Sequence, residues 1–237
     1  MSSLPILMYH NIVLNLNDSK DLNLSVQKFE QQLAFLQLRG YTTYHFSELE
    51  NLKKISSKSV ILTFDDVTKN QMEFAIPLLE KYNFKATFFI PFKYVGGFDE
   101  WNDGNEPLMS LNDLKSVPKN IELAHHSFAH GNLANTKLDD IEEDLKKAEE
   151  YIKFNQLNIF SALAYPYGKY PKKDKQKKNS FFKILQQKNI IYGLRIGNRV
   201  NKFPFKNPYE ILRIDIKGQD SFLKFRLKLK FGKLKLF

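Results

Sequence analysis

The chain has no cysteine among its 237 residues. That excludes disulfides, thiolate-bound zinc, iron–sulfur clusters and thiol nucleophiles together. Any metal must be held by His, Asp or Glu, and histidine is scarce: only His10, His45, His125, His126 and His130 are present. No apolar run approaches the ~18 residues of a membrane span. The opening stretch MSSLPILMYHNIV has neither a basic start nor a long apolar core, so the expected location is the cytoplasm. Arginine is also rare, at 5 of the 36 basic residues. A lysine-dominated charge suits diffuse attraction to anionic surfaces better than bidentate reading of bases, and no nucleic-acid motif is present.

What is there is a globular composition, 43% hydrophobic and 26% charged, in one domain's length of chain. The net charge of +10 is concentrated in two segments. Residues 169–178 (KYPKKDKQKK) hold six Lys and one Asp, and residues 217–237 hold six Lys, one Arg and one Asp. The remainder is nearly neutral. The first segment either faces an anionic substrate or is a solvated mobile loop. In the second, apolar and basic residues alternate from Phe225 to Phe231, which is strand-like periodicity. This segment is read as a basic apolar tail. It either packs on the domain or touches an anionic bilayer at the inner face of the membrane.

Short apolar runs alternate with amphipathic helices. Strands are expected at Pro5–Tyr9, Tyr41–His45, Val60–Phe64, Ala86–Ile90, Ile121–Ala124, Ser161–Ala164, Ile190–Leu194 and Ile211–Ile216. Helices are expected after Ser25, from Ser47, over Asn70–Tyr82, and from Thr136 with Asp139 as a capping partner. Residues 91–110 read as a long loop. This order predicts an α/β fold with parallel strands, whose chemistry collects at the carboxyl ends of the strands.

Those ends carry an unusual set. His10 follows the first strand, Asp65 and Asp66 follow Val60–Phe64, His125, His126 and His130 follow Ile121–Ala124, and Tyr165-Pro166-Tyr167-Gly168 follows Ser161–Ala164. An Asp pair after a strand often only caps a helix. With a cation present, one carboxylate can bind it while the other serves as a base. His126 and His130, four apart, fall on one face of a helical turn at metal-ligand spacing. Two His and one Asp with open positions suit zinc or another divalent transition metal.

The segments ILTFDD, HSFAH and AYPYG, in that order, resemble the motifs of the polysaccharide deacetylase family (NodB homology, carbohydrate esterase family 4). LPILMYHNI and YNFKATFFIP fit as flanks. The YPYG form and the early MYH resemble the circularly permuted branch that acts on poly-N-acetylglucosamine. The resemblance covers about residues 4 to 216, and implies a catalytic domain over 1–216 followed by the tail 217–237. It implies a distorted, incomplete TIM-like (β/α) barrel and a metal-dependent hydrolase that removes N-acetyl groups from a polysaccharide or lipid-linked glycan. Asp65 would be the general base. Asp66, His126 and His130 would hold the metal, expected to be Zn²⁺, with Co²⁺, Ni²⁺, Mn²⁺ or Fe²⁺ as alternatives. The Tyr167 N–H would donate to the oxyanion, with Tyr165 and Pro166 at the substrate turn.

The family's late histidine is missing, and His10 stands as its permuted substitute, the acid for the leaving amine. The family's arginine before the third motif is replaced by Ala164, and Arg213 is the candidate to supply that charge from another strand. His125 is a neighbour of the ligands or an alternative to His126, and His45 reads as structural. Trp101 can stack on a sugar face or peg down its glycine-containing loop. A deformylase or esterase, or a non-catalytic glycan-binding relative, are the alternative functions.

Overall fold

The computed structural model describes residues 2–232. Seven parallel strands close into a barrel in which spatial order follows chain order: Ile6–Tyr9, Ser59–Asp65, Ala86–Ile90, Ile121–His125, Phe160–Ala164, Tyr192–Ile196 and Ile211–Asp215. The last strand pairs with the first through Ile214 opposite Leu7 and Asp215 opposite Met8, which closes the ring. A short eighth strand, Thr42–Thr43, adds to Ser59–Asp65 outside the ring. The register slips between Ala124 and His125, so the barrel is distorted as well as one strand short of the eight-stranded form.

Alternation along the strands sorts side chains into two cores. Ile6, Ile61, Phe89, Ala124, Ala162, Ala164, Leu194 and Ile211 fill the barrel, and Phe46 closes the end at which the strands begin. Leu7, Tyr9, Leu62, Phe64, Phe88, Ile90 and Ile214 face outward against the helices. The same period of two puts Asp65 on the inward face with Ile61, and Arg213 with Ile211. Both charged groups reach the barrel's open mouth from neighbouring regions of one interior surface.

The expected barrel strands are present, most with ends within a residue or two of the expected positions. Four local expectations change. The helix after Ser25 runs Val26–Leu38 with Ser25 as its cap, but the short helix starts at Phe46, capped by His45, not at Ser47. The 70–82 segment begins as a π-turn, Gln71–Ala75, before the α-helix Ile76–Lys81. The long helix starts at Leu138, and Asp139 sits in its first turn without capping it. Residues 91–110 contain two short 3₁₀ turns, Phe92–Tyr94 and Glu100–Asn102.

The largest change is at the end of the described chain, where Phe222–Phe231 is a helix and not a strand. The alternation misleads because the buried set is Phe225, Lys228 and Leu229, at helical spacing. Lys228 can occupy a buried position because its ammonium donates to the Asp220 carboxylate and, at 2.6 Å, to the Asp215 carbonyl. Phe225 is fully buried in the outer core, in edge contact with Phe35. Residues 233–237 of the expected tail lie outside the described residues.

Candidate active site

The two adjacent carboxylates part company through the backbone. Asp65 ends its strand in extended conformation, but Asp66 and Val67 both take left-handed conformations, with φ of 77° and 48°. That is costly for a β-branched residue and persists only when the surroundings hold it. The Asp66 N–H donates to the Phe89 carbonyl at 3.1 Å. Asp65 therefore pairs with Arg213 while Asp66 faces His126 and His130, and only His126 lies near both carboxylates.

Arg213 is fully buried and grips Asp65 with both guanidinium nitrogens, Nη1 to Oδ1 at 2.5 Å and Nη2 to Oδ2 at 2.8 Å. Its guanidinium also lies over the Phe89 ring at 5.3 Å. Burial alone would raise the Asp65 carboxyl, but the Arg213 charge outweighs it and holds the group well below the ordinary carboxylate range. The free edge of Asp65 faces His10 and His126, with Oδ2 3.8 Å from Nε2 of each.

His126 and His130 meet differently from the expected helical turn. The segment between them is a loop with Ser127 and His130 both left-handed, at φ of 65° and 54°. Asp144, on the long helix, accepts from the N–H groups of Phe128 and Ala129 at 2.7 and 2.8 Å. The Ser127 hydroxyl accepts from the His130 N–H at 3.0 Å. These bonds hold the two imidazoles at a centroid distance of 4.8 Å. Trp101 stacks on His130 at 4.0 Å, and Tyr167 meets the same ring edge-on at 4.9 Å.

Asp66, His126 and His130 each offer one donor atom, all within 4.8 Å of one another, and all three residues are buried. The His126 Nδ1–H donates to the Ala164 carbonyl at 2.7 Å, which fixes the tautomer and leaves Nε2 a bare lone pair. Burial pushes the His126 imidazole down to about 4, so it is neutral at pH 7. That lone pair lies 3.6 Å from Asp66 Oδ1, which is buried and makes no hydrogen bond among the described residues. The His130 Nε2 is 3.4 Å from the same oxygen. The His126 lone pair facing a buried carboxylate oxygen is costly unless a cation occupies the gap. The residues present therefore fit a divalent ion held by two imidazoles and one carboxylate.

These groups line a cavity of about 280 Å³ at the carboxyl ends of the strands, with His10, Trp101, Tyr167 and Asp215 in its wall. A larger hollow of about 570 Å³ lies at the opposite end of the barrel, around Glu122 and Phe160, away from this cluster. Tyr167 is left-handed at φ 58°, and its N–H finds no acceptor among the described residues. Gly168 follows at φ +63°, where a Cβ would come within 2.4 Å of Ile196, so the turn admits only glycine.

Of the expected site residues, Asp65, Asp66, His10, His126, His130, Trp101 and Tyr167 line this cavity, and Arg213 backs it. Tyr165 does not line it: its ring is fully buried and its hydroxyl donates to the Tyr209 carbonyl at 2.9 Å. The strand alternation that turns Ala164 inward turns Tyr165 outward. Pro166, the first residue of the turn, is likewise buried and outside the cavity wall. His125 packs edge-on against Phe92 and is not among the converging donors. His45 caps its helix and touches the Asn120 carbonyl, away from the site.

Two contributors carry no sequence signal. Gln71 is fully buried, and its amide donates to the carbonyls of Asp65 at 2.6 Å and His10 at 3.1 Å, tying two functional strand ends together. It opens the π-turn, a feature often found at functional sites. Asp144 shapes the histidine loop from a helix whose acidic residues otherwise read as a solvated face.

A family model described as polysaccharide deacetylase matches residues 53–181. Poly-beta-1,6-N-acetyl-D-glucosamine N-deacetylase of Staphylococcus aureus is 29% identical over 216 residues, covering 86% of this chain and 70% of that relative. Among solved structures, the Streptococcus pyogenes deacetylase PplD in complex with acetate matches with a TM-score of 0.77 at 24% identity, covering 96% of this chain and 98% of that one. IcaB from Ammonifex degensii matches with a TM-score of 0.78 at 19% identity, covering 97% and 98%. These two structures share the barrel described above.

Proposed function

The chain belongs to the polysaccharide deacetylase family, and we propose that it hydrolyses the acetamide of an N-acetylated aminosugar within a glycan, releasing acetate and leaving a free amine. The observation that carries this reading is the placement of Asp65, paired with Arg213, beside the converging ligand atoms of Asp66, His126 and His130 in one cavity. The similarity to the staphylococcal enzyme supports an N-acetylglucosamine polymer, or its lipid-linked precursor, as the substrate class.

Asp66, His126 and His130 would hold the metal, with Zn²⁺ favoured by the nitrogen-rich donor set. A bound divalent ion supplies Lewis-acid polarisation of the acetyl carbonyl and lowers the pKa of the attacking water. Asp65 accepts a proton from that water. Arg213 keeps Asp65 ionised at neutral pH and fixes the edge it presents to the water. The Tyr167 N–H donates to the oxygen that gains charge as the carbonyl becomes tetrahedral. His10, 3.8 Å from Asp65, delivers a proton to the departing nitrogen. Return of the proton from Asp65 to His10, 3.8 Å away, restores both groups, so that in net terms one hydrogen of the water is on the amine and the other on the acid product, which ionises at neutral pH.

Trp101 lines the cavity and stacks on His130, which supports a role in contacting the sugar. The outer side of the helix Phe222–Phe231 exposes Leu223 and Phe231 among Lys224, Arg226 and Lys230, which supports peripheral contact with an anionic bilayer. No helix among the described residues is long and apolar enough to cross a membrane.

The test is acetate release from N-acetylglucosamine oligomers by protein supplied with zinc, run beside N-formyl and O-acetyl analogues. Faster release from the N-acetyl substrate supports the proposal. Preference for the formyl or ester analogue would transfer the site to the alternative bond, and binding without turnover would make the chain a glycan-binding relative.

A further inference from the structure

The segment 169–178 exposes Lys169, Lys172 and Lys173 to solvent but is anchored to the domain by buried residues. Tyr170 is buried at 3% exposure, packed against Tyr165 and Phe181, and hydrogen-bonded to Glu210. Pro171 beside it is also buried. Asp174 caps the helix Lys175–Gln187 by accepting from the Lys177 N–H at 2.9 Å. The turn is thus pinned at both ends, and its lysines project from a fixed base.

Those lysines surround a second hollow of about 390 Å³, lined by Lys169, Lys172, Lys173 and Lys177 with Asn135, Gly168 and one carboxylate, Asp174. Gly168 is also in the wall of the catalytic cavity, so the two hollows adjoin at the turn that carries Tyr167. None of the four ammonium groups forms an ion pair among the described residues. Asp174 accepts the Lys177 N–H with one oxygen and Glu210 is engaged with Tyr170 and Lys178, so the hollow sets four ammonium groups against one carboxylate. Lys177 makes only a 3.4 Å contact to the Ala134 carbonyl.

Resting on the deacetylase reading above, we propose that this lysine hollow binds a phosphoryl group carried by the substrate glycan, so that the preferred substrate is a phosphorylated N-acetylated glycan. A neutral sugar gives four adjacent ammonium groups nothing to compensate. A glycan that has already lost acetyl groups carries ammonium of its own and is repelled. A phosphate is compact, multiply charged and well matched to lysine point charges. Its capture next to the cavity would raise local substrate concentration and orient the acetamide toward Asp65.

The test compares three N-acetylglucosamine trimers: unmodified, with a 1-phosphate at the reducing end, and with a 6-phosphate on the middle residue. Wild-type protein is run beside the triple variant Lys172→Gln, Lys173→Gln, Lys177→Gln. The expected result is kcat/KM about 10-fold higher for one phosphorylated trimer, a preference within the range of electrostatic enrichment in charged clefts. That ratio should shrink toward one between about 0.1 and 1 M salt, as the screening length falls from roughly 10 to 3 Å. The triple variant should lose the preference at low salt. The phosphorylated trimer that is preferred distinguishes a reducing-end linkage from a phosphate along the chain. Equal turnover of all three trimers by wild type, or a preference that survives in the triple variant, overturns the proposal. If no trimer is hydrolysed, the deacetylase reading fails. A ³¹P signal of either phosphorylated trimer that is perturbed by wild type and not by the variant would still support the anion site, and no perturbation would overturn it.

Discussion

Arg213 and Asp65, 148 residues apart in the chain, form a two-point ion pair inside the mouth of the barrel. The pair joins the strand that closes the barrel to the strand that delivers both carboxylates. It fixes the orientation of Asp65 and its charge at once, and the remaining edge of Asp65 is what faces His10 and His126.

Removing the Asp65 charge without changing its shape isolates its proton-accepting role. Asp65→Asn should lower acetate release by about 10²- to 10⁴-fold, the usual range for a general base. Metal content should be retained, because Asp65 is not among the three converging donors. Measuring turnover and bound metal on the same preparation checks both halves, and undiminished turnover would remove Asp65 from the role given to it.

Removing the other partner should be felt mainly in stability. Arg213→Met leaves a buried carboxylate unpaired, a change that costs about 3–5 kcal/mol. The double variant Arg213→Met, Asp65→Asn should recover part of that loss. Urea unfolding of the four proteins gives the coupling directly, and additive losses would mean that the two groups do not depend on each other.

The same pair predicts a pH dependence with a definite sign. The folded Asp65 carboxyl is held below its ordinary value, so the unfolded chain binds the proton more readily. The stabilisation is therefore complete above the unfolded pKa of about 3.9 and is lost as pH falls through the folded value. The stability difference between wild type and Asp65→Asn should be constant from neutral pH to about 5 and narrow below about 4. A difference that changes between pH 6 and 8 would contradict this assignment.

The helix Phe222–Phe231 packs into the outer core through Phe225 and Leu229, which makes it part of the folded domain. Phe225→Ala should then cost about 3–5 kcal/mol, as truncation of a buried aromatic does. Thermal or urea unfolding measures it. A loss below about 0.5 kcal/mol, typical of a surface change, would return this segment to the status of a detachable tail.

The barrel is legible in the sequence because its strands are short apolar runs ended by the residues that do chemistry, as in Val60–Phe64 followed by Asp65. His10, Asp66, His126 and His130 are legible for the same reason: each follows a strand end directly or across one short loop. How side chains return to the site from elsewhere in the chain is not legible. Gln71 and Asp144 act through backbone carbonyls and N–H groups of loops, so neither leaves a pattern of residue types. Tyr165 falls outside the cavity because the motif gives its position in the chain, whereas strand alternation decides which way its ring turns. The C-terminal helix hides behind an apparent alternation because Lys228 counts as polar, and only its pairing with Asp220 makes it a core residue.

The mechanism depends above all on Asp66, His126 and His130 forming a metal site. Metal content of the purified protein, measured beside the double variant His126→Ala, His130→Ala, tests it most directly. About one divalent transition metal per wild-type chain is predicted, as a two-imidazole, one-carboxylate site requires, together with its loss in the variant. Wild-type protein that holds no metal, and takes up none of zinc, cobalt, nickel, manganese or iron when they are supplied, would contradict it.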